Sequence, residues 1–186
     1  MNWLQDPRLQ ECAQKLALGG VVAYPTEAVW GLGCQPFNEQ AVQQILDLKL
    51  RSADKGLILV AASIEQFAFL LEGLAEDQIA KLEASWPGHT TWLVPHNERL
   101  PYLIHGDHAT VALRVSAHPL VQALCLLNQG PIVSTSANPQ GLPPARTEQE
   151  ARSYFGDNTI NYAPSAEATA SQPSTIIDLI SGKQLR

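Results

Sequence analysis

The sequence predicts a single α/β domain, and three observations support this fold class. Stretches with apolar residues at helical intervals alternate along the chain with short apolar runs typical of strands. The 186 residues are 45% hydrophobic and 16% charged, which suits one soluble core, although this length leaves room for a second small domain. No apolar run reaches the 18 residues of a membrane-spanning helix, so no membrane association is expected.

Six helices are predicted from periodicity and from their ends. Gly19 stops the first helix, Asn38 caps the second, and Pro119 opens another in its first turn. Capping boxes are expected where Ser63 precedes Gln66 and where Thr147 precedes Glu150. The predicted helices cover residues 7–18, 39–48, 63–71, 77–85, 119–130 and 147–156.

Six strands are predicted between these helices. The first is apolar throughout, which indicates burial on both faces, and Pro25 ends it because proline has no backbone donor. Residues 163–173 are rich in Ala, Ser and Pro and are predicted to form a mobile loop. The predicted strands cover residues 21–24, 56–61, 90–94, 110–115, 132–133 and 174–179.

Cysteine and N-terminal composition predict a cytoplasmic location. Cys12, Cys34 and Cys125 are odd in number and widely spaced, so neither a disulfide framework nor a zinc site is indicated. Asp6 and Arg8 interrupt any secretory apolar region near the start. A reducing cytoplasm is therefore the expected compartment.

A basic cluster predicts an anionic ligand. Lys49, Arg51 and Lys55 lie within seven positions, on a chain with only 12 Lys and Arg against 18 Asp and Glu. A solvated helix end remains an alternative, since cations favour the last turn of a helix. The net charge of −6 argues against broad nucleic-acid binding, while a local RNA patch remains open.

Two polar segments follow predicted strands and are candidate binding loops. Thr26 and Glu27 follow the first strand and precede two glycines, which allow backbone to approach a ligand, although an ordinary strand and turn would read the same way. Ser134, Ser136 and Asn138 follow a later strand and suit phosphate or nucleotide binding. A serine nucleophile is less expected there because no base is near in sequence.

Arg114 is a lone cation in an apolar strand. Alternation places it on the same face as Thr110 and Ala112. Both a buried structural ion pair and recognition of a ligand carboxylate fit this position.

The histidines give weaker indications. His105 and His108 are three residues apart without a third ligand in frame, so no metal site is predicted. His89, His96 and His118 are expected in loops or on the surface. The two commonest nucleotide-binding fingerprints, GxxxxGK[ST] and GxGxxG, are absent from the sequence.

Six ordered motifs resemble the YrdC/TsaC family, which makes threonylcarbamoyl-adenylate. The resemblance covers residues 8–186, and the sequence is similar to the short, single-domain TsaC form. His89 departs from the family, which usually has proline there. The motifs are residues 24–33 (YPTEAVWGLG), 49–51 (KLR) with 55–58 (KGLI), 86–88 (WPG), 111–115 (VALRV), 134–138 (STSAN) and 174–178 (STIID).

The resemblance implies one YrdC-like domain over residues 1–186, with a twisted, mixed, open sheet flanked by helices and a ligand cleft at strand ends. It also implies synthesis of L-threonylcarbamoyl-AMP and pyrophosphate from L-threonine, bicarbonate or CO2, and ATP, with Mg²⁺, toward threonylcarbamoyladenosine in tRNA. Proteins that transfer the threonylcarbamoyl group are implied partners, and tRNA or another structured RNA is a candidate partner.

The resemblance also assigns residues. Lys49 and Arg51 are the expected catalytic cations. The expected threonine-binding residues are Thr26, Arg114 and Ser174. The expected ATP-binding residues are Lys49, Arg51, Lys55, Thr110, Ser134, Ser136, Asn138 and Arg186.

Two other classes compete with this synthase. An RNA- or nucleotide-binding module without catalysis would use the same cations and hydroxyls, because they bind phosphate from any source. A hydrolase with Ser134 or Ser136 as nucleophile would need a nearby base.

Overall fold

The computed structural model describes residues 2–186, which form an eight-stranded mixed sheet with helices on both faces. The spatial order of the strands is β7-β1-β2-β6-β3-β5-β4-β8. In chain order the strands are β1 (Val22–Pro25), β2 (Trp30–Gly33), β3 (Ile58–Ala61), β4 (Thr90–Pro95), β5 (Thr110–Val115), β6 (Ile132–Ser136), β7 (Asn161–Tyr162) and β8 (Thr175–Asp178).

Parallel and antiparallel pairs mix along this sheet. The pairs β1 with β7, β3 with β5, and β4 with β8 are parallel. The pairs β1 with β2, β2 with β6, β3 with β6, and β4 with β5 are antiparallel. Strand β6 therefore joins the β7-β1-β2 half of the sheet to the β3-β5-β4-β8 half.

Seven α-helices accompany the sheet, together with 3₁₀ turns at Trp3–Gln5, Ala53–Lys55 and Ile64–Phe67. None of the helices in the part of the chain described is both long and apolar enough to cross a bilayer. The helices are α1 (Pro7–Ala17), α2 (Glu39–Lys49), α3 (Ala68–Leu71), α4 (Glu76–Ser85), α5 (Tyr102–His105), α6 (Pro119–Leu127) and α7 (Glu148–Phe155).

Two hydrophobic clusters lie on opposite faces of the sheet. Helices α1 and α6 cover one face, where Val22 and Tyr24 of β1 are fully buried. Helices α2, α3, α4 and α7 contribute to the cluster on the other face, which takes Ala23. Consecutive residues of β1 thus point to opposite cores, and the predicted burial on both faces is confirmed.

The predicted α/β class and mixed sheet are confirmed, while three short elements escape the sequence analysis. These are β2, β7 and α5. Strand β2 reads Trp-Gly-Leu-Gly, which is only four residues long and half glycine, a residue depleted in strands. Gly33 in it is required by packing, because an added Cβ would lie 2.7 Å from the Val133 carbonyl oxygen.

Two helix starts differ in detail from the predicted capping boxes. The cap at Thr147 forms, since its hydroxyl accepts from the Glu150 amide at 3.1 Å, but the Glu150 carboxylate accepts instead from the Arg146 amide. The prediction at Ser63 is wrong, because its side chain makes no cap hydrogen bond. Gln66 there bridges the Ala62 amide and the Cys125 carbonyl.

Candidate functional site

A cleft of about 570 Å³ collects most of the residues singled out in the sequence. Its walls come from the turn between β1 and β2, the segment after α2, one face of β5, the end of β6 and the C-terminal residues. The cleft holds nine of the eleven predicted site residues: Thr26, Arg51, Lys55, Thr110, Arg114, Ser134, Ser136, Ser174 and Arg186. Lys49 and Asn138 lie behind its wall.

The cleft is strongly biased toward anions. Arg51, Lys55, Arg114 and Arg186 line it, whereas the lining residues of the described chain include no aspartate or glutamate. This bias is notable on a chain of net charge −6. Because charges in a low-dielectric recess are poorly screened, the cleft favours phosphate and carboxylate ligands.

The basic end of the cleft is shaped by the segment that links α2 to β3. The Arg51 guanidinium donates to the Gly56 carbonyl at 2.9 Å, which folds the side chain back along its own loop. Burial lowers the pKa of Arg51 from its ordinary value because it disfavours the charged guanidinium. A bound anion would offset this unfavourable desolvation. Lys55 is exposed, and its ammonium donates to the Gln140 Oε1 at 3.4 Å.

Lys49 supports this end from behind. Its ammonium donates to the Ser136 carbonyl and, at 2.8 Å, to the Asn138 carbonyl. Burial, and then the charge of Arg51, lower the pKa of Lys49 to about 8. Lys49 thereby fixes the exit of β6 against the end of α2, and Ser136 is presented to the cleft.

Asn138 acts on the same turn. Its side-chain amide donates to the Leu142 carbonyl at 2.7 Å, and its Oδ1 is buried without a partner among residues 2–186. Within that range neither Ser134 nor Ser136 is hydrogen-bonded to a histidine or carboxylate, so the structure offers no base for a serine nucleophile.

Arg114 forms a buried ion pair, which is one of the two interpretations that its position in the sequence allows. Its Nη2 lies against the Glu27 carboxylate, and its Nε donates to the Gly88 carbonyl at 3.0 Å. Glu27 also accepts from the Ser116 hydroxyl at 2.7 Å. Arg114 lines the cleft as well, so the Glu27 carboxylate orients a cation of the cleft wall.

The remaining predicted threonine-site residues are held by local bonds. The Ser174 hydroxyl is 2.8 Å from that of Thr91, and the Arg186 Nε donates to the Ser174 carbonyl at 3.0 Å. The Thr26 hydroxyl donates to the Val29 carbonyl at 2.7 Å. Arg186 therefore touches the residue predicted for the threonine side, and the two predicted subsites meet there.

His89, His96 and His118 lie in loops, one of the two predicted placements, but His96 and His118 are not on the surface. His96 is 8% exposed and His118 is 2% exposed. His89 is partly buried, and it lines the cleft together with His105 and His108. No isolated sequence pattern marks these histidines, since their burial comes from contacts between distant segments.

Within residues 2–186 no group of three or more side chains is arranged to bind a metal ion.

The segment 163–173 is irregular, as predicted, and is fastened beside the cleft. The Ala170 amide donates to the Glu27 carbonyl at 2.7 Å. Ring nitrogens of His89 and His118 lie 2.7 Å and 3.3 Å from the carbonyls of Gln172 and Glu167. His89 and His118 thus hold residues 163–173 beside the cleft, contacts that the sequence alone did not predict.

We predict that Glu27→Gln will reduce stability mainly at neutral pH. Burial alone would raise the pKa of Glu27, but Arg114 and the Ser116 hydroxyl outweigh it and hold that pKa below 4.5. The stabilisation is therefore present above pH 4.5 and is lost as the pH falls through the lower folded-state pKa. Breaking a buried pair typically costs about 3–5 kcal/mol.

Urea unfolding from pH 7 to pH 3 checks this prediction. The difference between wild type and Glu27→Gln should shrink as the pH falls. Glu83→Gln, on the exposed face of α4, serves as the control and should differ little from wild type at any pH. A Glu27→Gln deficit that stays constant down to pH 3 would contradict the ion-pair account.

Comparisons with known proteins agree with this architecture. The sequence model of the Sua5/YciO/YrdC family, described as "Telomere recombination", matches residues 14–186. A threonylcarbamoyl-AMP synthase of Saccharophagus degradans is 54% identical over 185 residues, spanning 100% of this chain and 97% of that protein. A threonylcarbamoyl-AMP synthase of Pseudomonas aeruginosa is 52% identical over 179 residues, spanning 96% of each.

Solved structures show the same fold. Sua5 of P. abyssi complexed with L-threonine has a TM-score of 0.84 and 33% identity, covering 95% of this chain and 52% of that one. The chain thus spans about half the length of that protein. YciO of E. coli, at 19% identity and a TM-score of 0.80, covers 95% of this chain and 86% of its own, and supports the fold alone. The resemblance seen in the six motifs is confirmed, and the chain belongs to the Sua5/YciO/YrdC family.

Proposed function

We propose that this chain is a threonylcarbamoyl-AMP synthase that uses L-threonine, bicarbonate or CO2, and ATP, and releases pyrophosphate. One observation carries the proposal: a single cleft joins a basic end at Arg51 and Lys55 to an oriented Arg114. Two anionic substrates can meet there, one carrying phosphates and one a carboxylate. Full-length relatives named threonylcarbamoyl-AMP synthase support this assignment.

The reaction requires positioning more than proton transfer. The carbamate of threonine attacks the α-phosphorus of ATP, a new O–P bond forms, and the bond to the β-phosphate breaks as pyrophosphate leaves. A carbamate is already an anion, so the lack of a base beside Ser134 and Ser136 is no obstacle. Alignment of the reactants and stabilisation of charge are then the main contributions of the protein.

ATP would occupy the basic half of the cleft. Arg51 and Lys55 would contact the triphosphate and stabilise the leaving pyrophosphate, with Arg51 as the catalytic cation. Lys49, predicted as a second catalytic cation, would act by fixing Ser136 through its two carbonyl bonds. The nucleoside side would be lined by Thr110, Ser134, Ser136 and Arg186, with Asn138 shaping the turn behind them.

Threonine would occupy the half that contains Arg114. The Nη1 of Arg114 makes no hydrogen bond within the described chain and is not enclosed, so it is available for a carboxylate. Thr26 and Ser174 would contact the rest of the amino acid. Sua5 of P. abyssi has been solved in complex with L-threonine, which supports this substrate.

Mg²⁺ would be carried by the phosphates. The described lining of the cleft contains no carboxylate, and hard divalent cations prefer oxygen ligands. Phosphate oxygens of ATP supply such ligands, and the ion would share charge neutralisation with Arg51 and Lys55. This arrangement matches Mg²⁺ as it is commonly held, through substrate phosphates.

The product would serve tRNA threonylcarbamoyladenosine formation in the cytoplasm. A labile mixed anhydride needs proteins that accept the threonylcarbamoyl group, and tRNA itself is a further candidate partner. The competing interpretation is a nucleotide- or RNA-binding module without catalysis, which would bind through the same cations.

Pyrophosphate release is the measurement that tests the proposed function. With ATP and Mg²⁺, we expect release only when both L-threonine and bicarbonate are present, and serine in place of threonine reports on side-chain selectivity. RNA affinity that falls steeply with salt, with no release under any combination, would favour the binding module.

Arg51→Ala is expected to weaken ATP binding and turnover. Each charge-assisted hydrogen bond lost should cost about 1.5–3 kcal/mol. Steady-state kinetics with ATP as the varied substrate measures the effect. Lys81→Ala, outside the cleft on α4, is the control for general charge loss. Unchanged kinetics for Arg51→Ala would remove the basic cluster from the mechanism.

Replacing Arg114 is expected to affect threonine more than ATP. Because Arg114→Gln alone would leave Glu27 buried and unpaired, the test uses the double variant with Glu27→Gln. Its KM for threonine should rise, while ATP binding without threonine stays close to wild type. An equal loss of ATP affinity would show that Arg114 faces the nucleotide.

A further inference from the structure

Two histidine rings stack beside the basic end of the cleft. The ring centroids of His96 and His105 are 3.9 Å apart, and the ring planes differ by 13°. His96 is buried after β4, whereas His105 ends α5 and lines the cleft. The pair has no role in the function proposed above.

Hydrogen bonds hold His96 in one neutral tautomer. The Glu98 amide donates to its Nδ1 at 3.1 Å, so Nδ1 carries no proton. The proton is then on Nε2, which lies 3.1 Å from the His108 carbonyl and donates to it. Burial lowers the pKa of His96, followed in size by the charge of His105. His96 is therefore a neutral ring of fixed orientation, and His105 stacks on it.

Helix α5 is tied to the basic segment through the backbone. The Leu57 amide donates to the Ile104 carbonyl at 2.8 Å, and the Asp107 amide to the Asp54 carbonyl at 3.1 Å. Gly106 lies so close that an added Cβ would be 2.3 Å from the Asp54 carbonyl oxygen. The position of His105 is consequently fixed relative to the segment that carries Arg51 and Lys55.

The two ring nitrogens of His105 differ in their surroundings. Nδ1 is buried and has no hydrogen-bond partner among residues 2–186. Nε2 makes no hydrogen bond within that range and is not enclosed, and the residue lines the cleft. A buried N–H without an acceptor is costlier than a buried lone pair, so the neutral ring carries its proton on Nε2.

We propose that His105 is a further substrate-contacting residue, whose Nε2 donates to the β- or γ-phosphate of ATP and to the departing pyrophosphate. This inference rests on the proposed function, since it assigns the phosphate chain to the end of the cleft where Arg51 and Lys55 lie. His96 is the positioning residue, because its stacked ring fixes the orientation of His105.

Calorimetry with inorganic pyrophosphate and Mg²⁺, without threonine, tests the assignment. Wild type is compared with His105→Phe, which keeps an aromatic ring against His96 but has no hydrogen-bond donor. The affinity of the variant for pyrophosphate should be about fivefold lower, the loss expected for one hydrogen bond.

Two controls make the result specific. AMP lacks the β- and γ-phosphates, so its affinity should be the same in both proteins. His108→Phe, which removes the other cleft histidine of this segment, should keep the wild-type affinity for pyrophosphate.

Equal pyrophosphate affinity of wild type and His105→Phe would overturn the proposal. So would an equal loss of AMP affinity in His105→Phe, or a loss of pyrophosphate affinity in His108→Phe as large as that in His105→Phe. Threonine-dependent pyrophosphate release with no contribution from His105 would defeat this inference alone. A contribution from His105 to pyrophosphate binding, without release under any substrate combination, would defeat the proposed function alone.

Discussion

The buried pair of Glu27 and Arg114 is the constraint on which the cleft depends. A cation in an internal strand of a sheet is costly unless it is paired and hydrogen-bonded. Glu27 supplies the charge, while the Gly88 carbonyl and the Ser116 hydroxyl complete the bonding. The carboxylate lies behind the wall, so the cleft presents the cation and not the anion. A ligand carboxylate can then approach Arg114 without meeting a like charge.

At the opposite end of the cleft, the cations are stabilised without a carboxylate. Arg51 and Lys49 are both held by backbone carbonyls, the former within its own loop and the latter across to the exit of β6. Carbonyl dipoles stabilise a cation without cancelling its charge. The charges at this end thus remain available to a polyphosphate, which carries more negative charge than one amino-acid carboxylate. The two ends differ in the charge left uncompensated, and this difference matches the two substrates proposed.

Much of this arrangement could be predicted from local sequence. Alternation in β5 correctly placed Thr110 and Arg114 on one face, and the cap at Asn38 forms as predicted. Both are features of neighbouring residues, where sequence spacing maps directly onto geometry. The family resemblance added residues such as Ser174 and Arg186, which lie far from the first motifs along the chain yet line the same cleft.

What sequence reasoning missed depends on contacts between distant segments. Strand β2 is held by its neighbours β1 and β6, although two of its four residues are glycines, which are depleted in strands. Gln66 resembled half of a capping box, but its amide bonds to Cys125, 59 positions along the chain. The burial of His118 likewise follows from the segment 163–173 that lies over it, with Glu167 as a partner. Short helices and strands are not stable in isolation, so contacts with distant segments, and not local propensity, decide their structure.

The polar groups of the cleft are arranged for alignment and not for proton abstraction. Its serine and threonine hydroxyls have carbonyl or hydroxyl partners, or none, and no carboxylate of the described lining is placed to activate them. Such a site suits a nucleophile that arrives already charged, and it would serve a neutral nucleophile poorly. A carbamate meets that condition, whereas an alcohol or amine does not. The proposed carbamate therefore fits both the cations of the cleft and the lack of a base in its described lining.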